Sequence, residues 1–186
     1  MRRLALLSAL LVLELAACKH KGQLSVSGGE ITGPLAPDVA APVLSVVKMS
    51  DPSAEPQLLR GFYGVESGSW RWTTSKFALT LRPPEGSAQQ GATLEFKFSL
   101  PEVIVNKIGP VTVSAKINGV PLPSQTYSKS GEYAYTAAIP ADALRTNTAS
   151  LEFSTDKVMP PGNGDKRELA LVAVSAALLP LGVQPK

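Results

Sequence analysis

The residues best equipped for chemistry in this chain sit together between Gly61 and Thr73. Both tryptophans are here, Trp70 and Trp72, with Arg71 between them and Tyr63 and Glu66 just upstream. On a strand, the spacing i, i+2 puts the two indoles on one face and Arg71 on the other. Aromatic rings beside an arginine and a glutamate suit a sugar. The ring stacks on the apolar C–H face of a pyranose, and the charged groups bind its hydroxyls. Three arrangements fit: both indoles in a core, one buried and one at a rim, or both on an exposed platform. A second charged group comprises Asp156, Asp165, Arg167 and Glu168. It reads either as solvated loop charge, with Arg167 bridging to a carboxylate, or as a polar site at a loop end. A calcium site through Asp156 and Asp165 would need further oxygen ligands, and the sequence marks none.

Catalysis is poorly provided for. The one histidine is His20 and the one cysteine is Cys18, both far from the groups above. A serine or cysteine nucleophile in the later chain therefore has no imidazole base, and a zinc site has neither imidazole nor thiolate. Glycine-rich phosphate-binding patterns are absent. Glu66, Glu95, Glu152, Asp156, Asp165 and Glu168 could supply a carboxylate pair on inventory, but no spacing selects two of them. The expectation is a protein that is not an enzyme and uses no cofactor and no metal.

The elements that position these residues read as strands. Phe77, Leu79 and Leu81 alternate with polar or small residues, as do Leu94–Leu100, Val111–Ile117, Tyr133–Ile139 and Leu151–Thr155. Period two marks a strand with one buried and one wet face. Turn signals separate them: Pro83–Gly86, Asn118-Gly119, Ser130-Gly131 and Pro160–Gly164. The last run, Leu169–Leu179, is apolar on both faces and should be an interior strand or one flanked by covering loops. One helical turn is expected at Pro140–Arg145 and another at Glu102–Ile108. The fold class expected is all-β, an antiparallel β-sandwich, with a jelly roll preferred and an immunoglobulin-like order second.

Charge and the N-terminal pattern address location. The basic residues are scattered, so the pI of about 9.0 does not describe a nucleic-acid surface. Met1–Ala17 has a basic start, a short apolar run and small residues before Cys18, the form of a secretory signal. Leu15-Ala16-Ala17-Cys18 resembles the bacterial lipobox, which implies cleavage before Cys18 and a lipid on its thiol. Without Arg2, Arg3 and Glu14, the 18 basic and 15 acidic residues become 16 and 14. The resemblance implies the membrane as a partner through Cys18, and Lys19 in place of aspartate implies the outer rather than the inner membrane. Residues 18–56 are rich in Gly, Pro, Ala and Ser and read as a tether, with Val43–Met49 able to add a strand. The expected division is signal 1–17, tether 18–56, sandwich 57–181 and tail 182–186.

A second resemblance rests on Phe62-Tyr63, Glu66, Trp70-Arg71-Trp72, Asn118-Gly119, Asp156-Lys157 and Asp165-Lys166-Arg167-Glu168-Leu169. Together these resemble the β-sandwich accessory module of bacterial surface-polysaccharide and glycosyltransferase proteins, with Ala170 where that family usually has glycine. The resemblance implies a sugar-related role. The functional expectation is a membrane-anchored, non-catalytic binding module of the cell envelope with a glycan ligand. The alternative is a structural or adaptor lipoprotein docking on another envelope protein.

Overall fold

The computed structural model describes residues 42–162 and 164–182. Cys18, His20 and the export segment lie outside the described residues. Ten strands follow in chain order: β1 (Val46–Lys48), β2 (Leu58–Glu66), β3 (Trp70–Leu81), β4 (Ala92–Leu100), β5 (Val111–Ile117), β6 (Val120–Pro121), β7 (Gln125–Tyr127), β8 (Gly131–Ile139), β9 (Ala149–Thr155) and β10 (Val172–Pro180). Two short helices intervene, α1 (Ser87–Gln90) and α2 (Glu102–Ile108), with 3-10 turns at Pro52–Gln57 and Ala141–Leu144.

All pairings are antiparallel, and they sort into two layers. One has the order β1-β10-β4-β8. The other runs β2-β3-β9-β5, with β6 and β7 on the far edge of β5. With β2 and β6 set aside as additions, β1-β10-β4-β8 and β3-β9-β5-β7 are the two four-stranded sheets of a jelly roll. The layers join at a corner where Trp72 and Arg71 of β3 pair with Val172 and Ala173 of β10. Beyond the corner β3 exchanges β10 for β9 along the same edge, from Lys76 to Leu81.

Alternation explains the core. Leu94, Phe96, Phe98 and Leu100 are fully buried, as are Phe77, Leu79 and Leu81 opposite them. Phe77 and Phe153 are cross-strand partners, their rings stacked 5.1 Å apart. Phe96 of the other layer meets them at 5.4 and 4.8 Å, and Tyr135 meets Phe153 edge-on at 5.9 Å. The Tyr135 hydroxyl donates to the Pro123 carbonyl at 2.7 Å, so this buried phenol is satisfied. On β10 the register shifts between Ala173 and Ser175, which turns Ala173 and then Ala176 and Leu178 toward the core. The run that is apolar on both faces is an interior strand, as its composition predicts.

The packed region begins before the alternating pattern does. β1 lies on β10, and Met49 and Ala54 are buried. Gln57 is buried where a neighbouring strand would otherwise be needed. Its Nε2 donates to the Leu44 and Thr80 carbonyls at 3.0 and 2.8 Å, and its Oε1 accepts from the Leu44 N–H at 2.9 Å. Residues from Leu44 to Pro56, read in the sequence as tether with Val43–Met49 able to add a strand, are therefore held to the sandwich.

Candidate functional site

The hairpin β2–β3 places the aromatic group. Its turn closes with the Ser69 N–H donating to the Glu66 carbonyl at 3.1 Å, and Ser67 and Gly68 both take positive φ. Glu66 is the register partner of Trp70, so both project from one face of the sheet. Trp70 and Trp72 share that face and meet edge-on, ring centroids 6.1 Å apart. Both are half-buried. Trp72 leans on the hydrophobic core, and Trp70 is the outer member of the pair. The arrangement is closest to the one with a single indole at a rim.

Arg71 goes the other way, as its spacing requires, and the other way is inward. It is 5% exposed. Its Nε donates to the Met49 carbonyl at 3.0 Å, Nη1 to the Tyr63 carbonyl at 3.2 Å, and Nη2 to Glu55 Oε2 at 2.6 Å. The expectation that Arg71 binds ligand is corrected here. An arginine between two half-exposed tryptophans on one strand must face the opposite layer, and there the backbone takes its donors.

The cation at the site is Arg167. Its Nη1 donates to Glu66 Oε1 at 2.6 Å, and Nε and Nη2 grip Asp165 at 3.0 and 2.8 Å. Its guanidinium carbon lies 5.1 Å from the centroid of the Tyr63 ring, a cation–π contact. Hydrogen bonds from the side chain and backbone N–H of Arg167 hold the Asp165 carboxyl down at about 2. Asp165, and then Glu66, raise Arg167 above its ordinary value. The Arg167–Asp165 pair is therefore held in its charged form near neutrality. An acid held so low cannot exchange a proton near neutrality, so Asp165 serves as an anchor and not as a general acid.

The two charged groups kept apart in the sequence thus meet in space, but only in part. Tyr63, Glu66, Asp165 and Arg167 come together beside Trp70. Glu168 is turned to β3, where its Oε1 accepts from the N–H and hydroxyl of Ser75 at 2.9 and 3.0 Å. Asp156 is elsewhere, capping β5 by accepting from the Thr112 N–H at 2.7 Å. Neither is part of a binding cluster. Among the described residues, no three His, Cys, Asp or Glu gather as metal ligands.

The loop makes the junction. Gly162 and Asp165 exchange backbone hydrogen bonds, as do Met159 and Leu169. Glu168 and Ala170 then follow β3 on the edge opposite β2. The loop crosses from that edge to Glu66 on the face that carries the indoles. Arg167 retains N–H groups that these bonds do not use, and Glu66 Oε2 has no partner among the described residues. An aromatic ring for stacking, a donor and an acceptor thus sit side by side.

No family model matches the chain, and no curated protein matches it. Solved structures that resemble it include the CBM36-1 domain of a multidomain xylanase from the hindgut metagenome of Trinervitermes trinervoides. That match has 14% identity and a TM-score of 0.39, covering 74% of this chain and 98% of the other. A family 35 carbohydrate-binding module from Clostridium thermocellum matches at 12% identity and a TM-score of 0.42, over 72% of this chain and 97% of that one. A CBM36 module in complex with calcium and xylotriose matches at 11% identity and a TM-score of 0.38, over 73% and 99%. The site stands on its own geometry and takes nothing from these likenesses.

Proposed function

We propose that this chain is a non-catalytic glycan-binding module held at the cell envelope by a lipid on Cys18. The observation that carries the binding reading is the half-exposed Trp70–Trp72 pair set beside the pre-ordered Glu66–Arg167–Asp165 cluster. Trp70 stacks on a pyranose ring, Glu66 accepts from a hydroxyl and Arg167 donates to one. Because the ion pairs already fix these groups, little conformational entropy is lost on binding. Arg71 holds the strand beneath them.

A glycan array followed by calorimetry on its best neutral oligosaccharide tests this. Trp70→Ala should lower affinity by about tenfold or more, with the fold unchanged by circular dichroism. Wild-type protein that binds no glycan, together with cross-linking in cells that captures one envelope protein, would replace this reading with the adaptor role. Labelling with radioactive palmitate tests the anchor, where Cys18→Ser should abolish incorporation and unlabelled wild-type protein would end the lipoprotein reading.

A further inference from the structure

The outer face of the β2-β3-β9-β5 sheet carries a groove of 460 Å³, with the chain around Pro121 and Leu122 as one wall. This volume is in the range of about 300–1,000 Å³ typical of small-ligand sites. It shares no residue with the Trp70 cluster, and its polar lining is Arg60, Lys76, Lys116, Glu152, Ser114 and Ser154 among others. Strand register arranges them in two rows. Lys76, Ser154 and Ser114 lie across three strands in one row. In the next row Arg60, Ala78, Glu152 and Lys116 lie across four.

Three cations therefore surround one carboxylate. Glu152 is engaged by Arg60 at 3.1 Å, with both side chains about half exposed. The ammonium groups of Lys76 and Lys116 have no hydrogen-bond or ion-pair partner among the described residues. With strands ~4.8 Å apart, the two lysine backbones are separated by ~12 Å, so both ammonium groups can reach one anionic group between them. The surplus of positive charge calls for an anion. Glu152 and the serine hydroxyls, placed between the cations, call for hydroxyl groups on the same molecule. A nucleic-acid phosphodiester would meet Glu152 as repulsion with no hydroxyl on the phosphate to donate to it, and free phosphate offers only its P–OH.

We propose that this groove is a second binding site, independent of the Trp70 cluster, and that its ligand is an acidic saccharide of the uronate class. Lys76 and Lys116 hold the sugar carboxylate, and Glu152 accepts from a ring hydroxyl.

Calorimetry on the full chain in detergent tests it with three probes: trigalacturonate, its methyl ester and inorganic phosphate. Trigalacturonate should bind, and more weakly as salt is raised. Lys76→Gln with Lys116→Gln should weaken it by about 100-fold, roughly tenfold for each charge-assisted hydrogen bond removed. Arginine at both positions should restore it, and Trp70→Ala should leave it unchanged. Both lysines are exposed, so the variants keep the fold, which near-UV circular dichroism checks. The proposal is overturned by any of three results: no binding of trigalacturonate, equal binding of the methyl ester, or a double glutamine variant that binds like wild type. Phosphate bound as tightly as trigalacturonate would also overturn it, reducing the groove to a simple anion site.

Discussion

Arg71 and Glu55 form an ion pair in which the two partners contribute unequally. Removing the Arg71 guanidinium strands the buried Met49 carbonyl and the partly buried Tyr63 carbonyl, whereas Glu55, 66% exposed, returns to water. Urea denaturation should show Arg71→Met losing about 2–3 kcal/mol, because one buried and one partly buried acceptor go unpaired. Glu55→Ala should lose less than about 1 kcal/mol, as for a surface pair. Equal losses would mean that the ion pair, and not the backbone clasp, holds this corner. Acid titration probes the partner cluster. Arg167 holds the Asp165 carboxyl at about 2, below its ordinary 3.8, so the tie is present above 3.8 and is lost as pH falls toward 2. Tryptophan fluorescence should therefore hold steady from neutrality down to about pH 4 and change as pH falls from there toward 2. A transition near pH 5 would show that Asp165 does not clamp the loop.

At the scale of elements, the hairpin that carries the indoles depends on a place where no side chain fits. Gly61 interrupts the β2–β3 register at φ +77°, and a Cβ there would lie 2.3 Å from the Lys76 carbonyl oxygen and 2.7 Å from the Phe77 Cα. Gly61→Ala should cost about 3 kcal/mol or more, since backbone and not a flexible side chain must yield. Gly64, with nothing within 4 Å of the same position, should tolerate alanine with a change of about 0.5 kcal/mol or less. Similar losses in the two variants would refute the steric account. The same hairpin shows where the sequence is legible. β4, β5, β8, β9 and the second half of β3 alternate in sequence because one face meets the aromatic core and the other is mostly polar or small; the structure nonetheless buries Glu95 and Ala78 on that second face. β2 and the first half of β3 do not, because Arg71 and Thr73 are the inward residues and β2 is bulged. β1 falls inside Val43–Met49, the stretch whose β-rich composition marks a possible strand; what the sequence does not show is that Gln57, by its amide, ties Leu44 to Thr80 and closes the same edge. Tyr63, Glu66 and the tryptophans are legible as a site because they are near in sequence. The place of Arg167 beside them is not, since 101 residues separate it from Glu66 and only the run of the chain along β3 closes that gap.

At the scale of the sandwich, three rings bridge the two layers. Phe98, Tyr127 and Tyr133 pack with centroids 4.6–5.9 Å apart across the two layers. Burial, and then the neighbouring Tyr135 and Tyr133, push the Tyr127 phenol up to about 12. Its neutral form is favoured in the fold, so its contribution is intact below the ordinary 10.0 and is lost as pH rises through about 12. Melting temperature should thus decline above pH 10, and Tyr127→Phe should flatten that decline. Identical alkaline profiles for the two proteins would place the sensitivity elsewhere.

The Arg71 clasp has a mechanical meaning as well. A pull on the N-terminal side of Leu44 must first release Leu44 from Gln57 and Arg82 and then loads β1, three residues laid antiparallel on β10, which can open one pair at a time. The peel stops at Met49, because its carbonyl is gripped by an arginine rooted in the strand that bears the indoles. In an optical trap, a short, low-force step should precede global rupture, with a plateau between them that Arg71→Met erases. A module so built gives a little under load while the strand that bears the indoles stays in place.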